Sequence, residues 1–243
     1  VETPEFVDLS RPPRRALVVV AHPDDIDFGM SGTVAALTEA GAEVVYAIAT
    51  SGEAGPPEDL DRSELAVLRE KEQRLAAAAV GVHDVRFLGL PDGHLVADLE
   101  LRHCISAVIR DVRPDLVLQQ SPERRYDRIY ASHPDHLAVA EATISAVYPD
   151  ARNPHAHARL LAEGLEPHTV PEVWIGGLEP PDLFVDITDV FDRKVAALSS
   201  HESQVAWIDD IDGFLRNWAR ETTAHYGLPA GRLTEAFRRV DTA

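Results

Sequence analysis

Cysteine is almost missing from this chain: Cys104 is the single one among 243 residues, so no disulfide can form within it. That usage suits a reducing compartment, and the chain reads as a cytoplasmic enzyme. Basic residues are scarce beside acidic ones, 23 Lys and Arg against 41 Asp and Glu, for a formal net charge of −18. With no basic stripe, a nucleic-acid partner is not expected, and a polyanionic substrate would be repelled. Neutral sugars and cations face no such barrier. No apolar run approaches the length of a membrane span, and no basic stretch followed by an apolar one opens the chain, so neither a membrane partner nor a signal peptide is expected. A Gly-x-Ser-x-Gly elbow, a phosphate loop and the glycine fingerprint of dinucleotide folds are also lacking. These absences argue against a serine hydrolase, a nucleotide hydrolase and a nicotinamide enzyme. No internal repeat or low-complexity tract is present.

What the chain does have is alternation. Short apolar runs at 16–20, 44–49, 85–88 and 116–119 read as strands. Between them, amphipathic stretches at 32–40, 62–80 and 99–112 read as helices. A further helix is expected from about 134 to 147, then strands at 173–175 and 183–185, and a helix at 189–200. The segment 148–171, rich in Pro, His and Ala, reads as a loop excursion or a short helix. Phe214 and Trp218 sit four apart in a C-terminal helix and are expected against the core. Cys104, beside a helical stripe of Leu101, Ile105, Val108 and Val112, reads as a small core residue. The fold expected is α/β: a Rossmann-like, mostly parallel sheet with helices on both faces, as one domain over 1–243. No heptad pattern stands out, so oligomeric state stays open and a homo-oligomer is allowed.

Two segments carry chemistry: Ala21-His22-Pro23-Asp24-Asp25 behind the first strand, and Ser132-His133-Pro134-Asp135-His136 at a helix start. In a doubly wound sheet, residues just past the strand ends face the ligand crevice. Asp24 and Asp25 are adjacent and so diverge: one is placed to bind a metal, the other to face a water. His133 and His136, three apart in a first helical turn, reach one crevice together. Pro134 is tolerated there and Ser132 is expected as the N-cap. Asp135 is placed to orient a His or to favour the helix N-terminus. Histidines and a carboxylate around a divalent metal with an open position make a water-activating hydrolase; a structural zinc site prefers four protein ligands. The loop at 50–57, after the second strand, is expected at the crevice. His155, His157 and His168 read as ordinary loop histidines, and His201 as a residue near a helix C-terminus. Arg124, Arg125 and Arg128 form a small basic cluster that either binds an anionic group or pairs with nearby acids.

The two segments together make the chain resemble the PIG-L/LmbE-type zinc-dependent N-deacetylases. Arg69 with Glu72, the run Phe87-Leu88-Gly89-Leu90-Pro91-Asp92-Gly93, and His201-Glu202-Ser203-Gln204 support the likeness. The resemblance implies His22, Asp25 and His136 as metal ligands, Asp24 as general base, and His133 as proton donor and oxyanion stabiliser. It implies Arg69 and Asp92 as contacts to substrate hydroxyls. The implied cofactor is Zn2+, with Fe2+ compatible with the same donors. The implied substrate is a small N-acylated amino sugar or glycoconjugate. A thiol-sugar conjugate amidase of the same fold is the nearer alternative, and a non-catalytic metal-binding module the more distant one. Many members carry a Glu after the paired acids, where this chain has Ile26 followed by Asp27.

Overall fold

The most apolar segment lies at the centre of the sheet. In a computed structural model, which describes residues 5–243, β1 (Arg15–Val20) is buried from Ala16 onward. Its side chains alternate between two cores. Ala16, Val18 and Val20 join one cluster, and Leu17 and Val19 the other. The remaining strands are β2 (Glu43–Ile48), β3 (Asp84–Phe87), β4 (Leu116–Gln120), β5 (Glu172–Gly176), β6 (Leu183–Asp186) and β7 (Thr234–Asp241). They form one seven-stranded sheet in the order β3-β2-β1-β4-β5-β7-β6. Pairings from β3 across to β5 are parallel; β7 is antiparallel to both of its neighbours. The α/β, mostly parallel architecture read from the sequence is the observed one.

The helices are α1 (Asp25–Gly29), α2 (Ser31–Glu39), α3 (Arg62–Ala79), α4 (Leu99–Val112), α5 (Pro134–Ser145), α6 (Ala158–Ala162), α7 (Phe191–Ser199), α8 (Glu202–Val205) and α9 (Ile211–His225). Apolar residues of α2, α3, α7 and α9 cover one face of the sheet, and those of α4 and α5 the other. Several of the starts are set by carboxylates. Asp61 and Glu64 form a capping box on α3, and Asp98 accepts the Glu100 and Leu101 N–H groups on α4. After β1 the chain winds outward to β3, then crosses back to place β4 on the other side of β1. The carboxyl ends of β1 and β4 therefore flank the point where the winding reverses, the crevice such folds use for ligands.

The structure departs from the sequence reading at several places. Strand β7 has no apolar run to announce it. Its Arg238 and Arg239 pair with Asp182 and Glu172, partners that exist only once the sheet has formed. Phe214 and Trp218 do share a face of α9, yet they are 38% and 40% exposed and stack edge-to-face in a ladder with Trp207. The core side of α9 is supplied by Leu215 and Ala219 instead. Cys104 is half-exposed on α4 rather than part of the core. Within 148–171, only α6 is α-helical. Among the described residues, no helix is long and apolar enough to cross a membrane.

Candidate active site

Both sequence segments arrive at the winding reversal. His22 follows β1, and His133 and His136 stand at the start of α5 behind β4. The first turn of α5 is capped by His133 itself, whose Nδ1 accepts the Asp135 N–H at 3.2 Å. Ser132, expected to be that cap, instead accepts the Arg125 N–H at 2.7 Å and fastens the preceding loop. The cap fixes the His133 tautomer: a lone pair on Nδ1 leaves the ring proton on Nε2.

His22 Nδ1 lies 3.2 Å from His136 Nε2 and 3.6 Å from Asp25 Oδ2, and His136 Nε2 lies 2.9 Å from Asp25 Oδ1. Three donors each 2.0–2.1 Å from a tetrahedral zinc would stand about 3.3 Å apart, so these atoms fit one divalent ion. Nitrogens of His22, His133 and His136 also fall within 4.8 Å of one another, which puts His133 at the edge of the same cluster. A second grouping joins His22 with Asp92 and Asp135. In that grouping the carboxylates already serve other donors. Asp135 accepts the Gly93 and Leu95 N–H groups at 2.8 and 3.2 Å, and Asp92 accepts that of Ala54 at 2.8 Å. They lie on the far side of the His22 ring, with Nε2 at 3.0 Å from Asp92 and 3.3 Å from Asp135. Carboxylates in that position orient a ligating imidazole and raise its basicity.

The electrostatics follow from this crowding. Burial disfavours a charged His22 ring, but Asp135, Asp25 and Asp92 overcome it and push the ring up to about 12. Burial likewise opposes ionisation of Asp92, yet His22 and the Ala54 N–H hold it down to about 2. Asp25 is held well below the usual carboxylate range by His136 and His22 in spite of burial. Asp24 goes the other way. Its burial pushes the carboxyl up to about 6, against the pull of the Arg69 guanidinium.

Asp24 has a constrained backbone, with φ 88° and ψ −28° in the left-handed region. A non-glycine residue there costs about 1–3 kcal/mol and persists only where its surroundings over-determine it. The surroundings do so. Its carbonyl accepts the Asp27 and Phe28 N–H groups, its own N–H donates to Gln73 Oε1 at 2.9 Å, and its Oδ2 accepts from Arg69 Nη2 at 3.2 Å. Arg69, expected at the substrate, is 5% exposed and also donates to the carbonyls of Pro23 and Gly52 at 2.8 and 2.7 Å. Gly52 must be glycine for this: its φ is +68°, and a Cβ would stand 2.3 Å from Arg69. Asp92, also expected at the substrate, is 6% exposed and engaged with His22. Ile26, where many resembling proteins have Glu, is fully buried in the core.

Some roles at the site escaped the sequence reading. Gln73 and Asp27 are fully buried beside Asp24, and Glu72 caps α8 by accepting from Ser203 N and Oγ at 2.8 and 2.6 Å. For Glu72 and Gln73 the signal was the stripe Leu65, Arg69, Glu72, Gln73, Ala76 and Ala77, the buried residues of a helix that otherwise reads as solvated charge. His201 follows the C-terminus of α7, as expected, and precedes α8, but its fully buried ring donates to Asp27 at 2.8 Å and meets no backbone carbonyl. His157 meets Asp150 and His168 meets the Pro114 carbonyl. Arg125 pairs with Asp127 and Glu179.

The family profile PIG-L, described as GlcNAc-PI de-N-acetylase, matches residues 17–147. The diacetylchitobiose deacetylase of Thermococcus kodakarensis is 34% identical over 229 residues, covering 93% of this chain and 83% of that protein. A probable N-acetyl-alpha-D-glucosaminyl L-malate deacetylase 2 of Bacillus cereus is 32% identical, covering 84% of this chain and 90% of its own. Among solved structures, the N,N'-diacetylchitobiose deacetylase from Pyrococcus horikoshii in complex with an inhibitor superposes with a TM-score of 0.85 at 32% identity, covering 96% of this chain and 87% of that one.

Proposed function

The chain belongs to the PIG-L family and is an N-deacetylase of the hydrolase class, and on that premise we propose that it removes an acetyl group from the nitrogen of an amino sugar or glycoconjugate. One observation carries the reading: a carboxylate that takes no part in the His22–Asp25–His136 triangle is held beside it in a strained, fully tethered conformation. A structural metal site has no use for such a group.

In this reading His22, Asp25 and His136 hold the ion, zinc in preference and iron(II) as the alternative for the same donors. The ion supplies Lewis-acid activation, lowering the pKa of bound water from ~16 toward ~7. Asp24 accepts the water proton as the oxygen–carbon bond forms; a carboxyl beside a divalent cation and the Arg69 guanidinium is ionised at neutral pH and so free to accept it. His133 presents Nε2–H to the carbonyl oxygen as its negative charge builds. The carbon–nitrogen bond then breaks, and the proton held by Asp24 is the one at hand for the departing amine, leaving acetate and a free amino sugar. Asp92 and Asp135 keep the His22 ring turned, and Arg69 keeps the Asp24 carboxylate turned; a contact of Arg69 or Asp92 with substrate hydroxyls adds to these roles. We take 1–243 as one catalytic domain, because Glu235 of β7 accepts the Gly32 and Thr33 N–H groups at the start of α2, directly behind the site. A cytoplasmic location is proposed from the single cysteine.

The test is amine release from a panel of N-acetylated amino sugars, with metal-stripped protein, the same protein with zinc restored, and Asp24→Ala. Zinc-dependent release that Asp24→Ala abolishes, with metal binding retained, is the expected result. Metal binding without release from any member of the panel would sink the amino-sugar assignment.

A further inference from the structure

Three side chains stand behind Asp24 that touch no open surface: Gln73, Asp27 and His201, each 0% exposed. Gln73 Oε1 accepts the Asp24 backbone N–H at 2.9 Å, and Gln73 Nε2 donates to Asp27 Oδ2 at 3.0 Å. His201 Nε2 donates to that same oxygen at 2.8 Å. The polarity of this chain is fixed. A peptide N–H only donates and a carboxylate only accepts, so the Gln73 amide has one orientation that serves both. Asp27 also ties the other side of Asp24, since its backbone N–H donates to the Asp24 carbonyl at 2.8 Å. Both peptide groups that flank the left-handed φ of Asp24 thus end on Asp27, one directly and one through Gln73. The three residues come from α1, α3 and the start of α8, so the arrangement exists only in the assembled fold.

We propose that Gln73, Asp27 and His201 are positioning residues that lock the Asp24 backbone in its left-handed conformation and so hold its carboxylate apart from the Asp25 carboxylate. Asp25 then turns to His136 and His22, while Asp24 turns to Arg69. In an extended or right-handed backbone at Asp24, the two acids would no longer be divided between these partners. The inference rests on Asp24 being the general base. Loss of positioning acts on turnover: a misplaced catalytic group costs on the order of 10- to 100-fold in rate.

A double-mutant cycle with Asp24 tests it. Gln73→Met keeps the length of the side chain and removes both hydrogen bonds. We expect kcat about 10-fold lower or more, with KM within about threefold and bound metal unchanged. In an Asp24→Ala background, the same substitution is expected to change the residual kcat by less than about twofold, because a residue acting through Asp24 has nothing left to position. An equal loss in both backgrounds would reveal general packing and overturn the proposal. Full turnover by Gln73→Met beside an inactive Asp24→Ala would also overturn it and leave the base assignment standing. An active Asp24→Ala would remove the base assignment instead. A charge exchange covers the case in which Gln73→Met does not fold. Gln73→Glu alone sets two carboxylates against each other; with Asp27→Asn added, the amide nitrogen in the place of Oδ2 donates to residue 73 and to His201 Nε2, which accepts as the neutral Nδ1–H tautomer. Recovery of kcat to within about threefold of the parent supports the proposal, and a folded double variant that stays as slow as Gln73→Glu contradicts it.

Discussion

Asp24 and Asp25 are identical side chains one bond apart in sequence, and they are separated in role by what surrounds them. Asp25 is pulled down by two imidazoles, and Asp24 is pushed up by burial with one guanidinium against it. Asp24→Asn removes the base and leaves the three proposed ligands in place. Steady-state kinetics should show kcat lower by on the order of 10²- to 10⁴-fold, with metal content by atomic absorption unchanged. Asp92 makes the opposite case. Its engagement with His22 Nε2 predicts that Asp92→Asn weakens metal affinity by about 10- to 100-fold, read by competition with a chelating dye. An affinity equal to the parent's, with only KM raised, would return Asp92 to a substrate contact. The metal-capable residues themselves were legible in the sequence, because His-Pro-Asp-Asp behind an apolar strand and His-Pro-Asp-His at a helix start each carry their structural context with them. The role of Gln73 was not legible: the stripe on α3 marks its burial, but a glutamine there gives no sign that both ends of its amide are engaged.

Elements were legible to the extent that their own residues determine them. Strands β1, β2 and β4 are apolar because helices cover both faces, and such runs declare themselves. Helix α4 is bounded by its Asp98 cap and an apolar stripe, and the expected 99–112 is the observed span. Strand β7 is different, since half of its side chains are charged, and Glu235, Arg238 and Arg239 pair with neighbours far away in sequence. Its Glu235 has a second task at the N-terminus of α2, and it forms a buried pair with Lys194 at 2.7 Å. Lys194→Met should therefore cost about 3–5 kcal/mol in urea unfolding, because it strands a buried carboxylate. Adding Glu235→Leu should cost less than the sum of the two single changes, and simple additivity would show that the pair is not coupled.

For the molecule as a whole, the charge of −18 and the crowding of carboxylates around His22 make the site a cation trap in an acidic protein. Removal of the ion should abolish amine release, and zinc should restore it. It should also lower the thermal midpoint, since an ion that binds only the folded state stabilises that state by mass action. A second dependence belongs to His201. Burial alone would lower its pKa, but the Asp27 carboxylate holds it above the ordinary 6.5. Its contribution to stability is then full below pH about 6.5 and fades as pH rises through the raised folded value. Compared with His201→Gln, the parent should hold its largest stability advantage in mildly acidic buffer and lose it toward alkaline pH; an advantage that grows with pH would contradict this.

Local pattern was enough for the alternation of strands and helices, the parallel sheet, and the two segments that bring His22, His133 and His136 to one crevice. Each of these depends on residues close in the chain, whose periodicity, caps and prolines act before any distant contact forms. Tertiary structure alone decided that Arg69 and Asp92 are engaged with protein partners, that β7 enters the sheet, and that Gln73, Asp27 and His201 meet behind Asp24. Those outcomes depend on buried polar groups from separate elements finding one another. A buried donor or acceptor is costly unless paired, and which partner it takes is settled only when the elements pack.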